Sequence, residues 1–144
     1  MFDNLPPKPF IYVAGPYTHK WPEIQELRGI DHCKFTAELL KAGYLVYSPI
    51  AETMMLAKYG QMHDTTWETW REKDLRQLSL SDEMIILPLT GWQDSIGLRG
   101  EIKYCLQNNI PMFIMDLFAK VLSSVDQQNI LTLLNVEAME DLND

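Results

Sequence analysis

The sequence predicts one α/β domain, a doubly wound and mostly parallel sheet of four to five strands with helices on both faces. Three observations predict it. Short apolar runs of strand length recur at 10–14, 44–47, 83–87 and 110–115. The stretches between them repeat their apolar residues at helical spacing. Glycine, proline or small polar breakers stand at the boundaries. Near-continuous apolar strands that alternate with helices suit a parallel sheet covered on both sides.

The first strand, Phe10 to Ala14, mixes aromatic and β-branched residues and stops at Gly15-Pro16. After the loop 15–21, Pro22 fits the first position of a helix. Ile24, Leu27, Phe35, Leu39 and Ala42 give that helix an apolar stripe, and Gly43 is a plausible left-handed stop. Arg28 and Asp31 fall on the same stripe, which is unusual. Residues 44–47 form the second strand, ended by Ser48-Pro49, and 50–59 read as a helix in which Met54, Met55 and Leu56 pack. A loop covers 60–66. Residues 67–80 are helical again, with Trp67, Trp70 and Leu78 on one face and Arg71 and Asp74 between them.

The third strand is 83–87. The loop from Gly91 leads into a helix that ends near Gln107, and 110–115 is the fourth strand. Residues 117–134 read as one or two helices. The segment 1–9 reads as an N-terminal arm and 137–144 as a frayed acidic tail, so that a single domain spans 1–144. Right-handed crossovers place every strand-to-helix loop at the carboxyl edge of the sheet. Gly15-Pro16-Tyr17 and Gly91 to Gly97 therefore converge, as ligand loops do in open sheets of the Rossmann or flavodoxin kind.

Composition narrows the partners. With 47% hydrophobic and 22% charged residues the chain is too apolar for disorder. A net charge of −8 argues against a nucleic-acid or anionic-membrane surface, since both need clustered Lys and Arg. A small phosphorylated ligand held by a few local donors stays compatible. Cys33 and Cys105 make no metal or redox spacing and read as buried thiols in a reducing compartment. No apolar run approaches the ~18 residues of a membrane span, and the first residues lack a signal-peptide pattern, so the cytoplasm is expected. His19, His32 and His63 suggest no metal site. No Ser–His or Cys–His pair and no GK[ST] phosphate loop is visible.

Glu101 is the residue on which the functional reading turns. Leu98, Ile102, Cys105 and Leu106 form the buried stripe of its helix, with Lys103 and Gln107 opposite and Glu101 on the border. Spacing alone favours a solvated helix-flank glutamate over a cleft carboxylate. Asp74 reads either as the partner of Arg71 or as a second cleft carboxylate, and Asp82 as a turn residue before the third strand. Ser95 suits a helix N-cap. Its hydroxyl, with the amides around Gly97, suits a phosphate equally well. Tyr12 defaults to core packing. Tyr17, Trp21 and Trp92 lie in loops at the site edge, where they can stack on a base or serve an interface.

Three segments resemble nucleoside 2-deoxyribosyltransferases. They are Ile11-Tyr12-Val13-Ala14-Gly15-Pro16-Tyr17, then Asp74-Leu75 followed eight residues later by Asp82, then Ser95-Ile96-Gly97-Leu98-Arg99-Gly100-Glu101. The resemblance spans residues 10–115. It implies that Glu101 is the nucleophile at C1′ of the sugar and that Tyr12 orients it. It also implies that Asp74, with Asp82, handles the departing base. Gly15, Pro16, Tyr17, Trp92, Ser95 and Gly97 would border the substrate. Where the transferases carry an aspartate for the 5′-hydroxyl, this chain has Ser95, as in the related nucleoside 5′-monophosphate N-glycosidases. A phosphate suits hydroxyl and amide donors better than a carboxylate does.

The expected activity is therefore cleavage or transfer of the N-glycosidic bond of a (deoxy)nucleoside 5′-monophosphate through a glycosyl-glutamate intermediate. No metal or organic cofactor is required. The resemblance also implies a homo-oligomer, a dimer or tetramer. Two other readings stand beside it: a non-catalytic nucleotide-binding or sensing module on the same fold, and an interaction protein whose exposed aromatics and methionines meet a partner.

Overall fold

A computed structural model describes residues 8–142, which excludes most of the expected N-terminal arm and the last two residues of the tail. Strand β1 (Phe10–Ala14) pairs in parallel with β2 (Leu45–Tyr47) on one side and β3 (Glu83–Ile86) on the other. Beyond β3 lie β4 (Met112–Asp116), also parallel, and β5 (Val121–Val125), which is antiparallel to β4. The order β2-β1-β3-β4-β5 reverses direction at β1. Open α/β sheets bind ligands at such a reversal, outside the carboxyl ends of the strands.

The alternation of side chains along the strands separates two cores. Tyr12, Ala14, Met84 and Ile86 face one side, where helices α3 (Trp67–Ser79), α4 (Ile96–Gln107) and α5 (Gln127–Leu133) add Leu78, Leu98, Ile102, Cys105, Ile130 and Leu131. Ile11, Val13, Ile85 and Leu87 face the other, against Leu39 of helix α1 (Pro22–Lys41). Helix α2 (Pro49–Gly60) packs on α1 and on β1. No helix of the described residues is long and apolar enough to cross a membrane.

The stop of α1 is as expected. Gly43 adopts φ +98, and the Tyr44 N–H reaches back to Leu39 O at 3.0 Å, as in a Schellman cap. The expected stripe of α1 holds only toward its end, where Leu39 is buried and Phe35 packs beside it. Leu27 is 57% exposed, and the buried line is Gly29, His32, Thr36 and Leu39. The reason is a close helix crossing: a Cβ on Gly29 would stand 2.4 Å from Met54 Sδ of α2. Small and polar residues let α2 approach, so hydropathy points to the wrong face there. Met54 does pack, whereas Met55 and Leu56 are exposed.

Two further corrections concern the C-terminal third. Residues 117–134 are not all helical: β5 occupies 121–125. A tight turn makes it possible, in which Asp116 accepts from the N–H groups of Phe118 and Ala119 and Lys120 takes φ +56. The described part of the tail is not frayed either. A 3-10 turn at Met139–Asp141 carries Leu142 into the core, where it is fully buried in the cluster that holds Ile130 and Leu134. Leu142→Ala is accordingly expected to cost ~2–4 kcal/mol of unfolding free energy in urea titrations. A loss below ~0.5 kcal/mol would mean that the tail contributes nothing to the core.

Candidate functional site

At the carboxyl edge between β1 and β3 lies a cavity of about 250 Å³. Three elements bring its chemistry together. Strand β1 supplies Tyr12, α4 supplies Glu101 one turn inside its N-terminus, and α3 supplies Asp74. Tyr12 does not line the cavity; it is fully buried behind Glu101, and its hydroxyl donates to Glu101 Oε2. Glu101 is only 5% exposed, which settles its environment: it is no solvated flank residue. Asp74 is also buried and lines the same cavity. The cation beside it is Lys73, 3.6 Å from Oδ1, while Arg71 lies on the outer side of α3 at a separate groove.

Burial dominates the proton affinities. It pushes Glu101 up to about 8, helped by the nearby Asp74 charge and opposed by the Tyr12 hydrogen bond. Burial likewise lifts Asp74 to about 6, with Lys73 pulling it down and Glu52 pushing it up. The Tyr12 phenol is raised well above its usual range by burial and by the two carboxylates. Two carboxyl groups with separated affinities in one small pocket are the ordinary equipment of acid–base and nucleophilic catalysis.

The rest of the wall comes from loops. Gly15, Tyr17 and Thr18 follow β1, while Asp94, Ser95 and Gly97 precede or open α4. Ser95 caps α4 by accepting from Leu98 N–H at 3.3 Å and borders the cavity at the same time. Thr65 and Thr66 close a third side. Their loop is tied down by Asp64, which accepts from Thr66 N–H, Thr66 Oγ1 and Thr69 Oγ1, and by Thr18 Oγ1, which donates to Thr65 O at 2.7 Å.

Several expected site residues are elsewhere. Trp92 does not border the cavity. The 3-10 turn Trp92–Asp94, begun by Gly91 at φ +86, folds its indole into the core, where it is 7% exposed. Asp82 sits at the opposite edge of the sheet, since strands in a parallel sheet begin where ligands do not bind. There it accepts from Phe10 N–H at 2.7 Å and returns a 2.8 Å bond to Phe10 O, a clamp between β1 and β3. Pro16 is buried behind the wall, its carbonyl 3.3 Å from His32 Nε2. Trp21 is exposed outside the cavity, against His19 and Lys20.

Other residues take part that the sequence did not single out for the site. Trp67 borders the cavity and lies flat on α4, where a Cβ on Gly100 would stand 2.6 Å from its Cζ2. Trp70, Ile50 and Thr53 add to the same wall. Arg28, conspicuous on its stripe, is a fastener. Its guanidinium donates to Thr18 O at 2.9 Å and Thr90 O at 3.0 Å, joining the two loops that frame the pocket. Among the described residues no cluster of His, Cys, Asp or Glu could hold a metal ion.

A family model described as a domain of unknown function (DUF1937) matches residues 9–117. No curated protein matches the chain. The matched span begins just before β1 and ends just after β4, so it contains Tyr12, Asp74, Glu101 and every residue of the cavity wall.

Glu101 has a consequence for stability. An ordinary unfolded glutamate ionises near pH 4.5, whereas the folded one keeps its proton to about 8. Folding is therefore fully favoured by this group below pH 4.5 and loses that contribution as pH rises toward 8. Glu101→Gln, which keeps an acceptor for Tyr12, is expected to raise Tm more at pH 8 than at pH 4.5. A shift of several degrees is expected, because ~1 kcal/mol moves the Tm of a domain of this size by roughly 3–6 °C. A change in Tm that is the same at both pH values would contradict the buried, proton-retaining carboxyl.

Proposed function

The chain belongs to the family of this domain of unknown function, DUF1937, and from that premise we propose that it cleaves or transfers the N-glycosidic bond of a (deoxy)nucleoside, free or as its 5′-monophosphate, through a covalent glycosyl-glutamate on Glu101. The observation that carries the reading is the buried Tyr12–Glu101 hydrogen bond, with Asp74 in the same small cavity. The resemblance of residues 10–115 to nucleoside 2-deoxyribosyltransferases supports it independently, because the matching Tyr, Asp and Glu meet in space.

The chemistry needs one proton on two carboxyl groups, and between about pH 6 and 8 the pair holds one. At rest that proton lies mostly on Glu101, whose affinity is the higher, so the reacting form is the minor one in which Asp74 holds it. From that form the Glu101 carboxylate attacks C1′ while Asp74 gives the proton to the departing base nitrogen. The C1′–N bond breaks, its electron pair leaves with the base, and a glycosyl ester forms. Water then attacks C1′, passes a proton to Asp74, and frees the sugar and Glu101. A second base in place of water makes the reaction a transfer. Tyr12 holds Glu101 Oε2 throughout and keeps the other oxygen available.

The 5′ end of the substrate has two readings. Ser95 and the first amides of α4 suit a phosphate. Against this, the cavity wall holds Asp74, Asp94 and Glu101 and, among the described residues, no Lys, Arg or His. That charge pattern favours a nucleoside, whose neutral 5′-hydroxyl Asp94 would accept. A homo-oligomer in a reducing, cytoplasmic setting belongs to the same proposal, and both thiols are free.

Incubation with a panel of nucleosides and their 5′-monophosphates, followed by measurement of free base, tests the activity. Release from at least one member is expected, with kcat/KM bell-shaped and its limbs near pH 6 and 8. Glu101→Gln is expected to lose at least ~10³-fold and Asp74→Asn ~10²–10⁴-fold. Equal rates on nucleoside and monophosphate would remove phosphate recognition from Ser95. No base release, together with a rise in Tm on adding a panel member, would replace the enzyme with a binding module.

A further inference from the structure

Behind Asp74 stands a charged cluster that the reaction above leaves without a part. Lys73 Nζ lies 2.5 Å from Glu52 Oε1 and 3.6 Å from Asp74 Oδ1. It donates to Tyr47 Oη at 3.2 Å and to Gln77 Oε1 at 3.0 Å. Its charge also lies over the rings of Tyr47 and Trp70, 5.9 and 5.6 Å from their centroids. Glu52 of α2, Tyr47 of β2 and the body of α3 therefore fix one ammonium against one pocket carboxylate. This is more anchorage than a surface lysine ordinarily has.

We propose that Lys73 is a positioning residue for the site, acting through Asp74 to set which of the two pocket carboxyl groups carries the shared proton, with Glu52 and Tyr47 holding it in place. The proposal rests on the reading of Asp74 as the acid for the departing base. Lys73 itself is absent from the cavity wall and touches no reacting atom.

The charges around Asp74 make the case. Glu101 of α4 shares its pocket, and Glu52 of α2 stands on the far side of Lys73. The phenols of Tyr12 and Tyr47, on β1 and β2, are the other titratable neighbours, both with raised affinities and both neutral near pH 7. Asp74 Oδ1 is buried and has no hydrogen bond, so the ammonium is its main compensation. Burial and Glu52 favour the protonated form of Asp74, and Lys73 opposes them. Burial alone would lower the affinity of Lys73 for its own proton, yet Glu52, Tyr47 and Asp74 raise it, so the ammonium keeps its charge across the working range. With the ammonium gone, Asp74 would hold its proton to higher pH, and the range over which the pair carries a single proton would narrow.

The test reads the carboxyl groups directly. The side-chain carboxyl carbons of Asp74 and Glu101 are titrated by NMR in the parent, Lys73→Met and Lys73→Arg, with Lys73→Gln as a second neutral variant. Both neutral variants are expected to raise the Asp74 midpoint by at least ~1 pH unit, a tenfold tighter proton. Lys73→Arg is expected to stay within ~0.3 unit because it keeps the charge. An unmoved midpoint in the neutral variants, or an equal shift in Lys73→Arg, overturns the proposal. The titration needs no turnover, so its outcome is separate from that of the base-release assay. Where base is released, the acid limb of kcat/KM is expected to move with the Asp74 midpoint. A midpoint that moves while the limb stays would place the acid on another group and end this role for Lys73 in the reaction.

Discussion

The burial of Glu101 is the constraint from which the site follows. Removing a carboxylate from water costs several kcal/mol unless it is neutralised or hydrogen-bonded. Here both compensations are present: the Tyr12 hydroxyl donates to Oε2, and the carboxyl keeps its proton to about 8. Each compensation needs the fold. Tyr12 reaches the carboxyl because β1 is an inner strand and its side chain faces the layer that holds α4. The start of α4 is fixed in turn by the Ser95 cap and by Arg99, which donates to Gln93 O at 2.5 Å and Leu134 O at 3.3 Å. Moving the helix by one residue would rotate Glu101 by 100° and expose it.

Side chain to backbone bonds hold the loops around this point. Arg28 spans the loops after β1 and β3, and Asp64 gathers its own loop before Thr18 joins that loop to the first. Loops that carry function are ordinarily the least stable part of a domain. Tying three of them together places part of the cost of order in Arg28 and Asp64, which do not line the cavity, and keeps Thr18, Thr65 and Ser95 on its wall.

Much of this was legible in the sequence. The four parallel strands were: β1 and β3 are buried on both faces and so apolar along their length, and β2 and β4 are short apolar runs set off by breakers. Tyr12, Asp74 and Glu101 were recognisable together because their order and spacing resemble a known family. Burial of Glu101 was not, since its helical position lies at the border of the stripe and only the neighbouring α3 decides its exposure. Strand β5 escaped because an edge strand needs little hydropathy, and Ser123 and Ser124 interrupt it. Trp92 and Trp67 exchanged roles for a similar reason. A 3-10 turn withdrew the loop tryptophan, and Gly97 and Gly100 made a bed for the helical one. Hydropathy reports whether a side chain is apolar, and neither neighbour could be read from it.

The same electrostatics bear on the proposed reaction in opposite directions at its two ends. Departure of a base leaves positive charge on the sugar, and a site with Glu101, Asp74 and Asp94 around it stabilises that charge where it develops. An anionic group in the ground state meets the same carboxylates at a cost. Binding energy that rises only as the transition state forms increases kcat, whereas tight ground-state binding does not. An acidic wall on a chain of net charge −8 is thus poorly suited to holding an anion and well suited to stabilising an oxocarbenium-like centre. If a phosphate does bind, it has to be seated on Ser95 and the amides of α4, as far from Glu101 as the first turn of the helix allows.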